Sequence, residues 1–400
     1  MLVYGIKCLK RFNFLKDLIW QKKVFLLLDF NATSIDKLFS SSDNSNPLMW
    51  LVWIIPIFVF MLYGQRIQLQ VTSSEINKGL EKLKSFRDDT RKELIDYIKN
   101  TLKPSEDPTQ KLDKFFEYFT IMPTDMDPNG IVPKIRHIMR TREDSTRDQV
   151  NSLSQNISHV EATKIANILE AVTTLQLLYK MVRHFFLTAK KQNNFPLILP
   201  LQMMLPFIME EAEALKIAVS AFKQGQPIGD GIGPMIVGKM MLDTEKKPIA
   251  LETVWSEKDF EGRKLYFLKA EGPAATVGRP ADALEKILSE KKPDIIVMVD
   301  AALKLEGEDT GSIAQGFGAA IGGIGTERFQ IEEIATKHNI PIYAIVIKQS
   351  IKEAITLMRK EIADSSDLVA SQIYDIIKAN TKTSQCALVI GVGNTIGVSQ

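Results

Sequence analysis

The sequence predicts an α/β protein with an N-terminal transmembrane helix, a helical middle region and a C-terminal, mainly parallel sheet covered by helices. Three observations predict it. No charged residue lies between Asn44 and Gln65. Apolar residues then recur near the 3.6 period over residues 74–102, and helix returns over 134–190. From residue 225 onward, short β-rich runs alternate with helical ones, the pattern of strands and crossover helices.

Composition sets the outer limits. The chain has 400 residues, 45% hydrophobic and 24% charged, so it is globular and holds two or three domains at about 150 residues each. Fifty basic residues against 48 acidic ones leave a formal charge of +2, too little to recruit nucleic acid. Cys8 and Cys386 offer neither a disulfide framework nor a zinc set, and none of the four histidines has H-x-x-x-H spacing.

Residues 1–46 form an N-terminal extension. Its apolar run Val24–Leu28 is too short to span a bilayer, and no small-residue cleavage site follows a proper apolar core. Residues 47–64 meet the length needed to cross a hydrocarbon core of roughly 30 Å. Trp50, Trp53 and Tyr63 suit the interfaces, and Pro56 is tolerable in a membrane helix. The plain alternative is a buried core helix. Lys37 stands alone in the twenty residues before the span, whereas Arg66, Lys78, Lys82 and Lys84 follow it. That asymmetry places the C-terminal part in the cytoplasm of a single-pass protein of the cell membrane.

The helical region covers residues 65–224. Ser74 caps a helix over 74–102 whose inward positions are Ile76, Leu80, Leu83, Phe86, Leu94 and Ile98. Five prolines break regular structure over 103–133. Helix returns over 134–190. Residues 196–209 are apolar but interrupted by prolines, and are expected to be a buried lead-in to a helix over 207–223; a second membrane pass is the less favoured alternative.

Residues 225–400 form the α/β domain. Strands are expected at 250–255, 264–269, 294–299, 341–347 and 385–390, with helices at 234–242, 279–290, 327–338, 351–361 and 366–379. Sites in such folds lie beyond the carboxyl ends of strands. Three loops stand there. In Gly225–Pro234, the glycines Gly225, Gly229, Gly231 and Gly233 shape a turn that sets Asp230 at a helix N-terminus. Asp300 directly follows the apolar run Ile295–Val299. The run Asp309–Gly325 offers Gly316, Gly318, Gly322, Gly323 and Gly325, whose backbone amides suit an anion or an extended peptide. It lacks the G-K-S/T ending of a P-loop, and Arg328 and Lys348 are the only basic residues near it for a phosphate-binding reading. Each loop also has a plain reading, as a helix cap, a turn or a close backbone crossing.

At these loops the chain resembles the superfamily of hydrogenase-maturation endopeptidases and spore-germination proteases. Gly225–Val237 is similar to its G-N-x-x-x-x-D-D/E-G-x-G-P-x-V segment, and Ala270–Gly278 to its second strand and glycine turn. Val297–Ala302 resembles the strand ending in V-D-A. Asp309–Ile347 resembles the germination proteases' glycine run followed by G-I-P-V-I-A-I. The resemblance covers about residues 225–400 and implies a phosphorylase/hydrolase-like fold. The whole chain also looks like an archaeal family of membrane-anchored proteins of unknown function.

Carried over by position, Asp230 and Asp300 match the two acidic site residues. The resemblance therefore implies a peptidase acting on a protein or peptide substrate through paired aspartates, with a divalent metal at Asp230 and Asp300 as a variant. No histidine lies between Asp300 and His338, so the third metal ligand of the hydrogenase proteases has no counterpart, and no cofactor is expected. The superfamily's founding strand, ending in G-x-G-N, is missing before the acidic loop. The same pattern stands at Cys386–Asn394, where Gly391, Gly393 and Asn394 close the strand. This suggests a circular permutation, against which stands a chance extra strand. In a permuted fold, the strand lies parallel to 294–299, and Asn394 donates to the site. The alternative to catalysis is a membrane-tethered binding or scaffold module without activity.

Overall fold

Apolar residues at helical spacing lay the middle of the chain down as long helices. The computed structural model describes residues 47–104, 106–118, 130–154, 157–192, 195–322 and 325–399. Helix α1 spans Pro47–Leu102. The chain divides into two compact units, Met1–Gln70 and Val71–Gln400. In the first, residues 47–70 are helical, and Ile54, Ile55, Ile57 and Phe58 are exposed. The extension 1–46 and most side chains of the span expected at 47–64 lie outside the described residues. Among the described residues, no helix is long and apolar enough to cross a membrane. The span therefore rests on the sequence.

In the second unit, α1 buries Ile76, Leu80, Leu83, Phe86, Leu94 and Ile98, the six positions chosen by periodicity. The region 103–133 is not wholly irregular, because Pro108 opens a short helix α2, Thr109–Phe115, that buries Leu112 and Phe115. The single helix expected over 134–190 is two, α3 (Ile131–Asn151) and α4 (His159–Gln192). A polar run separates them, and Ser158 Oγ accepts the Glu161 N–H at 3.2 Å, a capping arrangement. Helix α5 runs unbroken over Phe195–Gln224, through Pro200 and Pro206. An interior proline costs about 3 kcal/mol of helix propensity. Burial of Ile198, Leu201 and Leu205 offsets that cost, so the expected break does not form. Helix α5 lies beside α1 and parallel to it, with Gln202 on Thr72, Lys216 on Asp89 and Lys223 on Glu93.

After α5 a 3-10 turn, Gly229–Gly231, leads into α6, Ile232–Met240. Seven strands follow: β1 (Lys247–Ala250), β2 (Thr253–Phe260), β3 (Arg263–Ala270), β4 (Ile295–Leu303), β5 (Ile313–Phe317), β6 (Ile342–Gln349) and β7 (Cys386–Gly391). Helices α7 (Pro280–Glu290), α8 (Thr326–Lys337), α9 (Ile351–Ile355), α10 (Lys360–Asp364) and α11 (Ser366–Asn380) lie among them. The sheet order is β1-β2-β3-β7-β4-β6-β5. Its four central strands are parallel, while β1, β2 and β5 pair antiparallel, so the sheet is mixed. The strand expected at 250–255 is instead a β1–β2 hairpin, since Glu252 takes φ +49° and reverses the chain. Strand β5 arises inside the expected glycine loop. The helix expected at 351–361 is divided into α9 and α10.

Strand β7 lies between β3 and β4. It is parallel to β4, from Ile295 opposite Ala387 to Val299 opposite Gly391. Its residues Ala387–Ile390 are fully buried, as a central parallel strand requires. One face of the sheet packs on α6 and α11 through Val297, Val299 and Val389. The other packs on α7 and α8 through Ile296, Met298 and Ile390. A third cluster joins Ile165, Ile168 and Phe222 to Ile228, Ala275 and Ile396. The helical region is thus seated on loops that leave the carboxyl ends of β3 and β7.

Candidate functional site

Asp300 stands inside strand β4, three residues before its end, and not directly after the strand as the sequence suggested. Alternation places its side chain on the face of Ile296 and Met298. The residue is only 5% exposed. Its carboxyl accepts the N–H of Ala301 at 2.7 Å and the backbone N–H of Gly322. Burial holds its pKa well above the usual carboxylate range, and the nearby charge of Asp230 adds to the rise; the two N–H donors oppose it.

Asp230 sits in the 3-10 turn that opens α6. As a residue it is half-buried, yet protein crowds its carboxyl, and burial pushes its pKa up. Its Oδ2 accepts the backbone N–H of Asn394 at 2.8 Å, which works in the opposite direction.

Glycine makes this approach possible. A Cβ on Gly233 would stand 2.3 Å from the carbonyl oxygen of Val392 and 2.5 Å from that of Val299. Gly393, at φ +137°, would place a Cβ 1.9 Å from the carbonyl oxygen of Asp230. Gly229, Gly231 and Gly391 likewise face backbone oxygens closer than 3 Å, those of Glu353, Asn394 and Gly233. The acidic turn and the end of β7 therefore interlock backbone against backbone. Gly225, at φ +62°, ends α5.

The glycine run does not form one cradle. Gly316 lies within β5, and Gly318 donates to the Ile342 carbonyl at 3.0 Å. Because β5 is antiparallel, it leads both toward the amino end of β6, away from Asp300. Gly322 returns to Asp300. Gly323 lies outside the described residues, and Gly325 is the left-handed N-cap of α8.

Asn394 reaches the site with its backbone, not its side chain. Its Oδ1 accepts the Ile396 N–H at 3.0 Å, and its Nδ2 donates to Asn167 Oδ1 at 3.2 Å. Asn167, on α4, also donates to the carbonyls of Thr163 and Ala275. The sequence reading missed it; its signal was one amide inside the apolar run Ile165–Leu169. Gln349 was missed too. It is 1% exposed, neither side-chain amide atom has a partner, and its Oε1 lies 2.4 Å from where a Gly229 Cβ would stand. A cleft of about 300 Å³ opens between α3, α4 and the loop after β3, with Arg147, His159, Glu252, Arg279 and Asn394 in its wall. Arg147 pairs with Glu252 at 3.0 Å, and Arg279 with Glu143 at 2.6 Å. Among the described residues, no group of three or more His, Cys, Asp or Glu side chains could hold a metal.

Residues 228–399 match the C-terminal domain of a family described as a domain of unknown function, DUF1512, and residues 50–225 match its N-terminal domain. The chain belongs to this family. No curated protein and no solved structure matches it. Within DUF1512, Asp230, Asp300 and Asn394 all fall in the C-terminal domain, and Asn167 falls in the N-terminal one. The family description carries no activity, and it speaks neither to a peptidase kinship nor to an archaeal source.

Proposed function

We propose that this DUF1512 chain is a membrane-held peptide hydrolase whose acid pair is Asp230 and Asp300. The observation that carries the reading is that Asp230 and Asp300 come from separate segments to the interlocked ends of β7 and β4, where Asp230 accepts the Asn394 N–H at 2.8 Å and Gly233 packs on the carbonyl of Val299, next to Asp300; the raised pKa of both carboxyls agrees with it. Two such groups resist ionising together, so one keeps its proton while the other is a base. Asp230, whose carboxyl accepts the Asn394 N–H, takes a proton from water as the water oxygen bonds the scissile carbonyl carbon. Asp300 gives its proton to the departing amine as the C–N bond breaks. The placement of β7 beside β4, with Asn394 on Asp230, supports reading this domain as a circular permutation of the endopeptidase superfamily's fold. In the metal variant, the same two carboxylates would hold a divalent ion, which would polarise the carbonyl. The uncharged run at 47–64 supports a single-pass anchor with the catalytic part in the cytoplasm.

One observation favours the second reading, a binding module without activity. Asp300 is nearly closed off, and its bonds to Ala301 and Gly322 are those of an acid that fixes a loop. Comparing new protein N-termini in membrane fractions from cells carrying wild type or Asp300→Asn separates the two. Termini present with wild type and lost with the variant support hydrolysis. Identical sets, with equal amounts of folded protein, overturn it.

A further inference from the structure

The α4–α5 hairpin carries a charge bias that its fold does not explain. From Ala171 to Met209 there is no acidic residue, while Lys180, Arg183, Lys190 and Lys191 are basic. All four are exposed, and Lys180 is paired with Glu117. The same segment exposes large apolar side chains. Leu177, Met181 and Phe185 form an i, i+4, i+8 stripe on α4, and Leu187 is also exposed. On α5, Leu199, Met203 and Met204 are exposed, Met203 by 67%. Opposite these, Val182, Phe186, Ile198 and Leu201 are buried, so the hairpin is a packed element with an apolar outer surface.

We infer that the tip of this hairpin is a membrane-surface element that lies against anionic lipid. Exposed apolar side chains flanked by lysine and arginine are the chemistry of an interfacial helix, whose apolar face enters the headgroup layer by about 5–10 Å. The cations meet anionic headgroups. A second copy of the chain is a poorer occupant, because a two-fold contact through this surface would set like charges against each other. Position points the same way. Gln202 bonds Thr72, so the hairpin tip stands at the Val71 end of its unit. The uncharged run ends at Gln65, six residues earlier in the chain. The inference rests on the proposed anchor for its orientation and on the hairpin for its chemistry.

The test uses the full chain with Cys8→Ser and Cys386→Ser, reconstituted in phosphatidylcholine–phosphatidylglycerol vesicles. Single bimane labels are placed through Met203→Cys at the tip, Ile57→Cys in the anchor and Ser289→Cys on α7. Quenching by spin-labelled lipid is compared with quenching by aqueous iodide. The label at 203 is expected to be quenched by lipid about three times more strongly than that at 289. The difference should shrink with Lys190→Gln and Lys191→Gln together, or without phosphatidylglycerol. Equal lipid quenching at 203 and 289 overturns the inference. So does shielding of 203 from both quenchers, which would mean a protein covers it. The label at 57 reports the anchor separately. Quenching at 57 but not 203 leaves the anchor and removes the surface; quenching at 203 but not 57 does the reverse.

Discussion

Lys269 provides a quantitative test of how β3 is buried. It shares a face with Leu265 and Phe267, is 1% exposed and lies against α6, where a Cβ on Gly238 would meet its Cε at 3.3 Å. Its ammonium has one described acceptor, the Ala270 carbonyl at 3.1 Å. Burial, with Lys246 adding to it, lowers its pKa from 10.5 to about 8. Below pH 8 both folded and unfolded chains carry the proton, and the folded state bears the full penalty. Between pH 8 and 10.5 the unfolded chain holds more protons, so stability rises with pH. At 1.36 kcal/mol per unit the penalty is about 3 kcal/mol. Lys269→Met keeps the length and removes the charge. It should raise stability at pH 7 by about 2–3 kcal/mol and flatten the rise between pH 8 and 10. Urea denaturation of the purified chain at several pH values measures both. A variant less stable at pH 7, or one with an unchanged slope, would refute the reasoning.

The remaining predictions concern the site and the strand beneath it. Asp300→Asn should remove the proposed hydrolysis while raising the urea midpoint at neutral pH, because a raised carboxyl pKa costs stability above the unfolded value of 3.8. That gain should fade as pH falls toward 3.8, and a destabilised variant would mark Asp300 as a structural acid. Gly393→Ala, which must push aside the Asp230 carbonyl, should cost about 2–4 kcal/mol, whereas Gly316→Ala, with nothing within 4 Å, should not destabilise; thermal melts compare them. Deleting residues 385–400 should unfold the α/β domain, since Leu388, Val389 and Ile390 alone bury about 1.5–3 kcal/mol each against a total of about 5–15. Retained near-ultraviolet circular dichroism in that variant would argue against a central β7.

Legibility followed the length and regularity of each signal. The inward face of α1 was largely readable, because six apolar residues hold one stripe over about six turns; Thr90, buried on the same stripe, was not. The pairing of β7 with β4 was expected only through the resemblance, with Cys386–Asn394 taken as a permuted founding strand; the apolar run alone predicts a buried strand and names no partner. The continuity of α5 was not, since Pro200 and Pro206 argue locally for a break and only contacts with α1 and α4 outweigh them. Strand β5 was hidden because it is only five residues long, contains Gly316 and sits between Gly311 and Gly318, too little sequence to show alternation. Asp230 and Asp300 were singled out by their places at a helix start and a strand end. The tie from Asn394 to Asn167 spans 227 residues, and no local pattern reveals such a bond.

The position of β7 sets the order in which the sheet can be completed during synthesis. Strands β1, β2 and β3 form one ribbon, and β4, β6 and β5 form another; in the sheet only β7 joins them. Both ribbons leave the ribosome before it does. Until then the inner borders of β3 and β4 expose unpaired amides and carbonyls beside their most apolar residues, an invitation to wrong partners. The register that ends this interval joins Lys264 to Cys386 across more than a hundred residues, a slow closure. It also brings Asn394 to Asp230, so the candidate site is assembled in the same event as the sheet. Nascent chains should therefore depend on chaperones during this interval, and no form with a finished site and an unfinished sheet should accumulate.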